Sequence, residues 1–168
     1  MKKHMKKFMK NEVWILAWGA ASQRANIFSS DCKKDSKEDF KRKLKEEIFE
    51  ELDTICNKKK FSDDDLLGLI KKFSQEKEGI SFKVGHSQKL INMLLKYYWC
   101  MGWLKMRPPH CPVDRIILEK TGVKRYGKTP AWTKIDNIGD YKSYVEDIRK
   151  FANSQNIADW ELKVYSRR

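Results

Sequence analysis

"GHSQKLINMLLKYYWC", residues 85–100, carries the reading on which the fold turns. Taken as a helix, it wraps Leu90, Ile91, Met93, Leu94, Leu95, Tyr97 and Tyr98 around most of its circumference, the pattern of a helix buried on nearly every side. One stripe stays polar: Lys89, Asn92 and Lys96, spaced i, i+3 and i+7, all face the same way. Amines beneath one face of a core helix must reach solvent along a groove or meet an anion, because isolated buried charge is costly.

The flanking segments also read as helices. Apolar residues Val13, Leu16, Ala17, Ala20, Ala21 and Ile27 recur near helical spacing over 12–28. The amphipathic stripe Phe40, Leu44, Ile48, Leu52 and Ile55 predicts a second helix with Ser36 as its N-cap. A third follows Ser62, with acidic residues in its first turn and Leu66, Leu69, Ile70 and Phe73 behind them. After the central helix, "MRPPHCP" breaks the pattern with three prolines. Pro112 then opens a fifth helix, "PVDRIILEKTG", with Asp114 in its first turn and Gly122 closing it. "VKRYGKTPAWTKIDNIG" is a basic, aromatic loop, and "DYKSYVEDIRKFANSQN" and "ADWELKVY" complete the set. No stretch of alternating apolar and polar residues competes. The expected fold is therefore all-α, a compact bundle of about six to seven helices in one domain over 1–168, with residues 1–10 a flexible basic arm.

The 168 residues, 40% hydrophobic, suffice for one real core. A formal charge of +13, from 36 basic and 23 acidic residues, favours a polyanionic partner, nucleic acid before membrane; lysine bias alone also yields a basic chain. Cys32, Cys56, Cys100 and Cys111 form no CxxC pair, and no secretory signal precedes them, so a reducing cytoplasm is expected. The longest apolar run near the start, "VWILAWGAA", is too short to span a bilayer.

Two residues stand out for chemistry. A lysine in apolar surroundings loses solvation for its charged form and becomes a nucleophile able to form a Schiff base; Lys89 is so placed. A carboxylate at a helix start suits stabilisation of a developing positive charge, and Asp114 is so placed. Each also has a plain structural use, Lys89 as an amine reaching solvent and Asp114 as a helix-start residue satisfying backbone amides. A zinc site from His86, Cys100, His110 and Cys111 lacks the spacing of a finger, so no metal is expected.

"GHSQKLINMLLKYYWCMG", a proline-rich link and "CPVDRIIL" together resemble the catalytic core of helix-hairpin-helix DNA glycosylases, particularly the 8-oxoguanine branches. The resemblance covers about residues 79–120 and implies a glycosylase-like all-α core that needs no metal or other cofactor. It implies double-stranded DNA as partner, extrusion of a damaged base, attack on the sugar C1′ by Lys89 and assistance from Asp114, with strand cleavage by β-elimination. The glycine here lies four residues before Lys89 where that family has it two before, and the link to Asp114 is longer than in most members. The same stretch is similar to a small bacterial family bearing "QK", "LKY", "WC" and "PPHCP" motifs.

On this reading Trp14, Trp18, Gln23, Phe28 and Asn92 wall a base pocket. Phosphate contacts come from the amides of Gly85, His86 and Ser87 and from Lys83, Lys96, Lys105, Arg107, Arg115, Lys124, Arg125 and Lys128. The substrate is an oxidised base in repair or a modified base in invading phage DNA. The competing readings are a non-enzymatic nucleic-acid-binding protein and an interaction module of a larger assembly.

Overall fold

The structure is a computed structural model and describes residues 2–23, 25–125, 127–153 and 155–165. Among them are seven α-helices: α1 (Lys3–Ser22), α2 (Lys34–Cys56), α3 (Asp63–Phe73), α4 (Val84–Cys100), α5 (Arg115–Lys120), α6 (Ile138–Phe151) and α7 (Ile157–Val164). A hairpin, β1 (Gln75–Lys77) and β2 (Ile80–Phe82), separates α3 from α4, and a 3₁₀ turn covers Trp132–Lys134. The fold is mostly α-helical and compact. No described helix is long and apolar enough to cross a membrane.

The segment at 85–100 is the axis of the molecule. From Val84 to Tyr98 nearly every residue of α4 is buried, with α1, α3, α6, β2 and the 3₁₀ turn packed around it. Ser87 donates its hydroxyl to the Ile70 carbonyl at 2.8 Å, tying α4 to the end of α3. Ser62 starts α3 as expected: its hydroxyl accepts from the Asp65 amide and the Asp65 carboxylate accepts from the Ser62 amide, so two otherwise orphaned donors are satisfied.

Four expectations are corrected. Residues 3–10 are the first half of α1, not a flexible arm: Lys10 reaches Asp53 at 2.6 Å and lies over the Phe49 ring, so tertiary contacts on α2 extend the helix. Met1 lies outside the described residues. α2 begins at Lys34, which puts Ser36 inside its first turn rather than at the cap. α5 begins at Arg115, and Asp114 is its N-cap rather than part of its first turn.

The hairpin is the fourth. Ile80 and Phe82 point inward with Ser81 between them, a period-2 pattern only three residues long, and Gly79 makes the turn at φ +72°. Ser81 donates to the Ile27 carbonyl at 2.7 Å, which joins the chain leaving α1 to this small sheet.

Candidate functional site

Gln88 sets the geometry. Its carboxamide nitrogen donates to the Val113 carbonyl at 2.7 Å, and its oxygen accepts from the Val113 amide at 3.1 Å. The residues that follow each partner, Lys89 and Asp114, are thereby brought side by side. Lys89 Nζ lies 3.3 Å from Asp114 Oδ2, with the two side chains only 11% and 10% exposed. The other oxygen, Oδ1, accepts from the Ile117 amide at 3.1 Å, so one carboxylate both caps α5 and faces the amine. Trp132 supplies a wall: Lys89 Nζ sits 4.4 Å from its ring centroid, within cation–π range.

The cleft around this pair has a volume of about 310 Å³. Ala20 and Gln23 border it from the end of α1, Arg115 and Ile116 from α5, Trp132 from the 3₁₀ turn and Tyr165 from beyond α7. A second ion pair lies deeper. Lys96 Nζ meets Glu161 Oε1 at 2.8 Å and sits 4.7 Å from the centroid of the Tyr165 ring. Burial pushes the Glu161 carboxyl up, while Lys96 pulls it back down. Cys111 is fully buried nearby, and that burial pushes its thiol well up, which suits an inert core cysteine rather than a nucleophile.

Gly85 holds Trp132 in position. Its amide donates to the Ile135 carbonyl at 2.8 Å, and a Cβ at this position would stand 2.0 Å from the Trp132 carbonyl oxygen. Gly85→Ala is therefore expected to destabilise the fold by about 3 kcal/mol or more, because backbone rather than a pliable side chain must give way. At the usual scaling for a chain of this size, calorimetry should show the melting point lowered by roughly 6–12 °C. An unchanged melting point would mean that the approach of the 3₁₀ turn to α4 is not tight.

The phosphate-binding amides expected before Lys89 have other work. Gly85, His86 and Ser87 are buried, and the amides of His86 and Ser87 donate to the Lys83 carbonyl at 3.0 Å. Lys96 is likewise buried and paired, not presented to a strand. Lys83 pairs with Asp136 at 2.7 Å, Lys124 donates to Thr129 at 2.9 Å, and Arg107 meets Asp159 at 3.1 Å beside a separate cleft that includes Pro109 and Arg149. Arg125 is bound by Asp147 at 2.6 Å and Ser143 at 2.9 Å. Lys105 is exposed, and Arg115 and Lys128 are exposed beside the Lys89 cleft.

Of the expected base pocket, Gln23 alone lines that cleft. Trp14 stacks on Trp18 at 5.7 Å, Trp18 on Phe82 at 6.0 Å, and Phe28 meets Phe40 edge-on, so these rings build the α1–α2–hairpin core. Asn92 is buried and donates to the Tyr141 hydroxyl at 2.9 Å. That hydroxyl is also hydrogen-bonded to His110 Nδ1 at 2.9 Å, and Nε2 of the same ring lies 3.5 Å from Asp63, which Arg149 also holds. Trp132 and Tyr165 are the residues that sequence reading missed. Among the described residues no three His, Cys, Asp or Glu side chains cluster as a metal site.

No family model, no curated protein and no solved structure matches this chain. Its chemistry has to be read from its own side chains.

Two buried imidazoles give the fold a pH dependence. Burial, helped by the Lys83 charge, pushes His86 down to about 4, and its Nδ1 accepts from the Lys83 amide at 3.0 Å. Burial pushes His110 to about 4 as well, against the pull of Asp63. Both rings stay neutral in the folded chain at pH values where the unfolded chain, titrating near pH 6.5, binds protons. Stability is therefore full above about pH 6.5 and falls as the pH drops toward 4, by on the order of 3 kcal/mol per histidine. Urea midpoints measured across that window should fall steadily; a flat profile would contradict the neutral assignment.

Proposed function

We propose that this protein is a DNA glycosylase with associated strand-cleaving lyase activity, excising a damaged or modified base through Lys89 assisted by Asp114. The observation that carries the reading is the pairing of an amine and a carboxylate at 3.3 Å, nearly buried yet bordering an aromatic-walled cleft. A cleft of this size, at the lower end of small-molecule sites, suits one extruded base and its sugar. The Lys89 ammonium passes a proton to the departing base as the C1′–N bond breaks, its electron pair leaving with the base. Asp114 faces the positive charge that develops on the sugar, and the amine, now neutral, adds to C1′. The new C1′ ammonium gives a proton through Asp114 to O4′ as the C1′–O4′ bond breaks, leaving a Schiff base; loss of a C2′ proton then expels the 3′ phosphate and cuts the strand. The role proposed for it is DNA repair or defence against modified phage DNA, in the cytoplasm.

The test is borohydride trapping on a panel of damaged and modified DNA strands, since only a Schiff-base intermediate becomes covalently fixed to the protein. A chain that binds every strand, is trapped on none and releases no base is a binding protein and not a glycosylase.

Binding itself is expected to weaken steeply with salt. Released counterions should give log K against log salt a slope of about −0.7 to −0.9 per phosphate contacted. Lys128→Ala, at an exposed position beside the cleft, should reduce the magnitude of the slope by about one contact without changing which base is preferred. Salt-independent binding would remove the polyanion from the reading.

A further inference from the structure

The concavity that holds Lys89 continues past Arg115. A second chamber of about 530 Å³ opens there, lined by Lys128, Thr129, Pro130, Ala131, Trp132 and Thr133. Arg115 and Trp132 line both spaces, so the two are adjoining rooms of one groove. Among the described residues the lining of the second includes two cations and two hydroxyls and no carboxylate. Glu119 does engage Arg115, at 2.7 Å, but that guanidinium is 67% exposed and such surface pairs exchange readily.

Cationic and hydroxyl side chains beside apolar ones are the chemistry of a nucleotide site, phosphate meeting the former and base or sugar the latter. The walls are built beforehand. Arg125 and Lys128 exchange both backbone hydrogen bonds around Gly127, whose φ is +75°, and Asp147 fixes Arg125 to α6. At the other end Ile135 is fixed to α4 through the Gly85 amide. A loop clamped on both sides has little freedom left to lose on binding.

Extrusion from a duplex takes out one nucleotide and leaves its neighbours stacked. A second chamber sharing walls with the first has room for a second nucleotide out of the stack, next to the one at Lys89. We infer that the strand recognised is single-stranded, or melted at the lesion, with one unstacked nucleotide in each chamber and the phosphate between them at Arg115. The inference rests on the proposed Lys89 chemistry for the first chamber and departs from the duplex partner expected from sequence.

The experiment is fluorescence anisotropy of the full chain with a labelled mixed-sequence oligodeoxynucleotide of about sixteen nucleotides, alone and annealed to its complement, at one salt concentration. The single strand should bind at least about tenfold more tightly than the duplex. Ala131→Trp fills the second chamber from an exposed position with ordinary extended backbone, and should cost single-strand affinity about tenfold, the scale of one stacked base. Lys128→Ala, also exposed, should lower single-strand affinity if the tryptophan variant fails to fold. Duplex binding equal to or tighter than single-strand binding, or a folded Ala131→Trp protein that binds the single strand like the parent, overturns the inference. Borohydride trapping on a single strand with one abasic site, run in parallel, separates the two readings. Strand preference without trapping leaves the two-chamber groove standing and removes the Lys89 chemistry; trapping without strand preference does the reverse.

Discussion

Lys89→Gln is expected to give a folded protein that borohydride no longer fixes to DNA and that no longer cuts an abasic strand. A carboxamide nitrogen is not a nucleophile, so no Schiff base forms and both activities should fall below detection. The fold should survive because glutamine can still donate an N–H toward Asp114 Oδ2, replacing a charge-assisted hydrogen bond with a neutral one. That exchange costs about 1–2 kcal/mol, or a few degrees in melting point for a chain of this length. Lys89→Arg is the sharper control. It keeps a positive charge for Asp114 and for the face of Trp132, yet a guanidinium stays protonated and cannot attack C1′. Trapping by the arginine variant would place the nucleophile elsewhere in the chain.

Asp114→Asn is expected to slow base release on the order of 100-fold or more, the scale of a lost electrostatic stabiliser in a partly dry site. Affinity for the strand should stay level or tighten slightly, since one repulsion toward phosphate is gone. The effect belongs to the transition state, where the sugar turns cationic, far more than to the bound substrate. A role in helix capping alone predicts something else: asparagine accepts the Ile117 amide nearly as well as aspartate does, so stability would barely move and turnover would be untouched. Base excision at the parental rate by this variant would dissolve the glycosylase mechanism and leave only binding.

Lys89 and Asp114 each stand out in the sequence, one on a polar stripe of a buried helix and the other at the next helix start; that they lie 3.3 Å apart is what the structure adds. The helices themselves were legible because burial imposes period: Phe40, Leu44, Ile48, Leu52 and Ile55 are all buried, as their spacing requires. What escaped notice is what period does not encode. Ile80 and Phe82 alternate for too few residues to signal a strand. Trp14 and Trp18 look like pocket walls by residue type, but burial against Phe49, Phe40 and Phe82 decides their place, and that depends on α2 and the hairpin docking from far along the chain. Trp132 sits in an aperiodic basic loop. Its one legible clue was Gly85, read as a phosphate grip when it marks the close passage of another backbone.

Gln88 behaves as a peptide group in disguise. By bonding Val113 through both its carboxamide oxygen and nitrogen, it makes a single rung between two segments that are 25 residues apart, and the Lys89–Asp114 ion pair is one step beyond that rung on each side. The spacing of amine and carboxylate is thus uncoupled from the contour length of the connection from Met101 to Pro112. The connection can be lengthened or shortened without parting amine from carboxylate, and the rung, rather than the number of residues between lysine and aspartate, is the trait by which similar arrangements should be sought.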